Sequence, residues 1–73
     1  MPLDRSIEEY DIVVKRSAAG GYVIAQRIDG RDEVLKAGPF NAGDAQARAI
    51  ELAHAHDADA WLEEQPGAVR LLD

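Results

Sequence analysis

Apolar and polar residues alternate from Tyr10 to Arg16, placing Tyr10, Ile12 and Val14 on one face of a strand. The paired glycines of Ser17-Ala-Ala-Gly20-Gly21 break the run and permit the positive φ of a hairpin turn. Residues 22–28 are rich in aromatic and β-branched side chains and predict a second strand. Asp29-Gly30 predicts another hairpin, with a polar loop through Asp32. A short third strand follows over 33–37, closed by Gly38-Pro39.

The period then changes to that of a helix. Asn41 is a suitable cap, because its side-chain oxygen can accept from backbone N–H groups two or three residues on. Asp44 then meets the positive end of the helix dipole, and Phe40 supplies the apolar half of a staple. At 100° per residue, Ala42, Ala45, Ala49, Ala53 and Ile50 share one face, flanked by Leu52 and His56. Asp44, Arg48 and Glu51 lie opposite. So small a buried face fits a helix lying close on a sheet of larger side chains. Continuing the helical plot puts Leu62 among acids, and Asp57 and Asp59 favour a turn, so the helix is expected to end at His56 or Asp57. Residues 60–64 then read as a strand, Gln65-Pro66-Gly67-Ala68 as a type II turn, and 69–72 as a last strand.

The pattern predicts an α+β fold of order β-β-β-α-β-β, a small mainly antiparallel sheet with one helix on one face. Residues 1–73 form a single domain in this reading, with 1–9 as a flexible lead-in. The face away from the helix would carry Val13, Val23 or Ile24, and Trp61.

Composition narrows the function classes. A chain of 73 residues builds a thin core, and with no cysteine it has neither disulfides nor a thiolate metal site to reinforce it. Self-association, as a homodimer covering the open sheet face, is the remaining route to extra stability. No apolar run spans a bilayer and no leader pattern opens the chain, so a soluble cytoplasmic protein without membrane contact is expected. The net charge of −6 is unevenly placed: residues 1–40 hold seven acids against six bases, residues 41–73 seven acids against Arg48 and Arg70. That sign disfavours binding to a phosphate backbone and suits a basic surface on another protein.

Candidate chemistry is sparse. His54 and His56 point about 200° apart on a helix and cannot share a metal within one chain. Ser6 and Ser17 lack a nucleophile context, and Glu8-Glu9 and Glu63-Glu64 are adjacent pairs that face opposite ways in a strand. No glycine-rich phosphate motif occurs. No enzyme, cofactor or metal is therefore expected. Tyr10, Tyr22, Lys15, Arg16, Arg27 and Arg31 are the residue types of a nucleic-acid surface, but the overall charge opposes that use. Trp61, beside Asp57, Asp59, Glu63 and Glu64, reads either as a core residue or as an aromatic anchor with an acidic rim.

Tyr10-Asp-Ile-Val-Val, Gly20-Gly21-Tyr22-Val, and Phe40 before an alanine-rich helix together resemble the HicB-like antitoxin fold over residues 10–56. The DNA-binding segment that often follows in that family is absent. In size, charge and layout the chain also resembles the small acidic phage proteins called anti-CRISPRs, which occupy effector surfaces often meant for nucleic acid. Both likenesses imply a phage or bacterial inhibitor, and neither transfers a functional residue. The function expected is a non-enzymatic protein-binding module docking on a basic partner surface through Asp44, Glu51, Asp57, Asp59, Trp61, Glu63 and Glu64.

Overall fold

The computed structural model describes residues 6–72. Its elements are β1 (Ile12–Arg16), β2 (Tyr22–Ile28), β3 (Arg31–Phe40), α1 (Ala42–Ala55), β4 (Ala60–Gln65) and β5 (Ala68–Leu71), in the expected order. They build one five-stranded sheet, ordered β3-β2-β1-β4-β5, with α1 against one face.

The sheet is mixed: three of its four strand pairings are antiparallel, as expected, and the fourth is parallel, which the hairpin reading did not anticipate. β1 pairs antiparallel with β2 but parallel with β4, Ile12 lying opposite Ala60 and Val14 opposite Leu62. The cause is chain direction. Two hairpins send β1, β2 and β3 up, down and up, and the helix brings the chain back down. β4 must therefore run up, as β1 does, and β2, the only down strand that precedes it, already has both edges occupied. Beside β1 it can only be parallel.

The helix forms where the pattern places it. Asn41 caps it, the Asp44 N–H donating to Asn41 Oδ1 at 2.8 Å. It ends at His56, and Asp57 turns the chain out with φ 54. Ala45, Ala49 and Ala53 are buried against Ile12, Val14, Ile24, Ala60 and Leu62, with Tyr22, Phe40, Ile50, Leu52 and Leu72 packed around them. Burying each of the larger side chains contributes roughly 1.5–3 kcal/mol. Ile24 thus belongs to the helix side, and His56 is exposed.

Two strand limits differ from expectation. β1 begins at Ile12 because Tyr10 adopts φ 72 and takes no part in the strand. β3 runs on through Gly38 and Pro39 to Phe40, which pairs with Tyr22. Register shifts between Tyr22 and Ala25 show that β3 carries extra residues relative to β2, the signature of bulges. Of the lead-in expected over 1–9, residues 1–5 lie outside the described residues. No helix among the described residues is long and apolar enough to cross a membrane.

Candidate functional site

Alternation along the strands puts Val13, Ala25 and Trp61 on the face away from the helix, in one row across the sheet with Val34 and Leu71. Among the described residues no helix or strand packs on this face, yet Val13 and Ala25 are fully buried and Trp61 is 4% exposed. Charged side chains help to cover it. Lys15 Nζ bonds Asp32 Oδ2 at 2.9 Å, and Arg27 Nε bonds Asp32 Oδ1 at 2.7 Å. Lys15 lies one row beyond Val13, while Asp32 faces Arg27 one row to the other side. The lysine stem must therefore cross the central row to reach it, burying its methylenes on the way. Burial opposes ionisation of Asp32, but the hydrogen bonds from Arg27 and Lys15, with their charges, outweigh it and hold the carboxyl below its ordinary value.

Trp61 is fixed by Asp11, the buried charged residue of this region. The indole N–H donates to Asp11 Oδ2 at 2.9 Å, the Glu8 N–H to the same oxygen at 3.0 Å, and the Asp59 N–H to Oδ1 at 3.1 Å. One carboxylate thus ties the lead-in, the start of β1 and the start of β4 together. Trp61 is the core residue of the two alternatives its neighbours allowed. Its ring is covered within the described fold.

The exposed aromatic residue is Tyr10, 57% accessible. Its N–H donates to the Arg27 carbonyl at 2.7 Å and its own carbonyl accepts from Gln26 Nε2 at 3.2 Å. Those bonds hold a bulky residue in the left-handed region, where a Cβ is disfavoured. Acidic residues from both halves of the chain lie at this end of the sheet. Both Glu9 carboxylate oxygens accept from the Asp29 N–H, at 2.9 and 3.1 Å. Glu8 and Asp59 meet through Asp11, and Asp57 turns out two residues before Asp59. Arg31, opposite Ile28, is an exposed cation at this end.

The seven expected contact residues do not form one patch. Asp57 and Asp59 lie at the Tyr10 end. Asp44 is in the first turn of α1, at the other end of the helix, and Glu51 is exposed along it. Glu63 and Glu64 border a shallow open cleft with Arg16 and Ser17, where Glu64 also approaches Arg70 at 3.6 Å. Glu8, Glu9, Asp29 and Tyr10 were not foreseen, although the β1–β2 hairpin register alone sets Glu9 across from Asp29. Among the described residues no group of three or more potential ligands could hold a metal ion. The basic residues of strands one and two are largely engaged: Asp32 takes Lys15 and Arg27, and Arg16 lies 5.9 Å from the Tyr22 ring centroid. Tyr22 packs on the helix side at the opposite end from Tyr10, so the two rings make no common stacking platform.

Comparison with protein families, curated proteins and solved structures finds no match for this chain.

Proposed function

We propose that the protein is a non-enzymatic protein-binding module of the inhibitor type, and that it docks its acidic end on a basic surface of a partner. The observation that carries this reading is that the exposed, conformationally constrained Tyr10 shares one end of the sheet with Glu9 bonded to the Asp29 N–H, with Glu8 and Asp59 held through Asp11, and with Asp57 two residues before Asp59. An aromatic ring with acids about it supplies both parts of a docking site. The ring gives contact area at little entropic cost, and the acids steer a basic surface toward it. A partner surface built for nucleic acid would have the complementary charge.

Two variants test this. The first neutralises the rim without altering backbone preference: Glu8→Gln, Glu9→Gln, Asp29→Asn and Asp57→Asn together. The second, Tyr10→Asn, removes the ring while suiting the positive φ, and is expected to raise stability by about 0.5–1 kcal/mol. Partner proteins captured from the source cell at about 0.05 M salt should release at about 0.5 M. Both variants should lose them, although Tyr10→Asn is the more stable protein. Capture that resists salt, or that survives both variants, would overturn the reading.

A further inference from the structure

Among the described residues β3 is the longest strand and forms one edge of the sheet, its outer side unpaired. Edge strands are commonly blunted by charges and bulges. Here those devices have a self-complementary arrangement. Glu33 lies opposite Gln26 and Lys36 opposite Ile24, so the extra residue of the bulge brings Glu33 and Lys36, three apart, onto the same face. Val34 and Leu35 stand between them, 58% and 45% exposed. Neither Glu33 nor Lys36 makes an ion pair among the described residues, whereas the neighbouring Asp32 is spent on Lys15 and Arg27.

We propose that β3 pairs antiparallel with β3 of a second copy of this chain, about a two-fold axis between Val34 and Leu35. In that register each Glu33 faces Lys36 of the other copy, twice by symmetry, and each Val34 faces a Leu35. Opposite charges directly across a strand pair attract, and like charges repel. Shifting the register by two residues in one direction sets Arg31 against Lys36. The same shift in the other direction sets Glu33 against Gly38 and leaves it without a cation. The self-paired register is the one in which these two side chains find opposite charge. An edge so joined makes one ten-stranded sheet, and it hides the two exposed apolar residues that a lone edge leaves in water.

Sedimentation of the full chain tests the proposal. The wild-type protein should dimerise reversibly, and Glu33→Lys and Lys36→Glu should each weaken the dimer about tenfold, since each turns two attractions into two repulsions. Mixing the two single variants should restore association. One copy then carries only bases at the two positions and the other only acids. The double variant Glu33→Lys/Lys36→Glu should also dimerise as the wild type does. A wild-type monomer at about 1 mM, single variants that dimerise undiminished, or mixed variants that fail to associate would each overturn it. Both positions are exposed, so circular dichroism should show every variant folded.

Discussion

Asp32 shows how a single residue on a thin sheet serves two purposes. Its carboxylate neutralises Lys15 and Arg27, and by doing so it draws the lysine stem over Val13 and Ala25. The ion pair is therefore also a cover for apolar surface. Its dependence on pH follows from the lowered pKa of Asp32. A carboxyl that ionises more readily folded than unfolded adds stability above its unfolded pKa, about 3.9, and loses it as pH falls through the folded value. Asp32→Asn should thus cost about 1 kcal/mol at neutral pH, a modest figure because Lys15 keeps a third of its side chain in solvent. Urea unfolding of both proteins at pH 7 and at about pH 2 checks this: the gap should close in acid. A gap that persists at low pH would mean that Asp32 acts by shape alone.

Among the elements, the end of β3 shows where local signals and tertiary geometry part. Gly38-Pro39 is a reasonable strand terminator, yet β3 continues to Phe40. Gly38 has φ +63, and a Cβ there would lie 2.6 Å from the Phe40 nitrogen and 2.9 Å from the Tyr22 carbonyl oxygen. Glycine lets the two strands close at this point and seats Phe40 on the core. Gly38→Ala should cost about 2–4 kcal/mol, against about 1 kcal/mol for Gly30→Ala, where φ is +76 but nothing lies within 4 Å of the added carbon. Equal losses in thermal unfolding would refute the close-approach account. The helix and β2 were legible because their signals are local: a cap, an alanine stripe, a run of β-branched residues between glycines. The parallel β1–β4 pair was recoverable from strand direction alone, without any residue-level cue. A buried Trp61 was one of two readings its neighbours allowed, but its hydrogen-bond partner, a carboxylate 50 residues away, had no local signal.

Across the whole molecule, that carboxylate matters most. The first three strands and the helix–β4–β5 segment are joined chiefly along β1 and β4, and Asp11 sits at the head of that seam. It accepts from the Asp59 N–H and the Trp61 indole on one side, and from the Glu8 N–H on the other. The same seam brings Glu8 and Asp59 together, so the share of the proposed docking end that the start of β4 contributes depends on Asp11. Asp11→Ala removes three charge-assisted bonds and leaves the Trp61 N–H, in a buried side chain, without its acceptor. The expected loss is about 3–5 kcal/mol, most of the stability a domain of this size has to spend. Asp11→Asn retains an acceptor oxygen, though not the charge, and should cost about half as much. Trp61 fluorescence gives the readout: emission should shift to the red, with unfolding at lower urea, more in the alanine variant than in the asparagine one. If Asp11→Ala leaves the unfolding midpoint within about 0.5 kcal/mol of wild type, the seam is held by strand pairing and Asp11 is incidental to it. The acidic end would then have to be explained by the hairpin register alone.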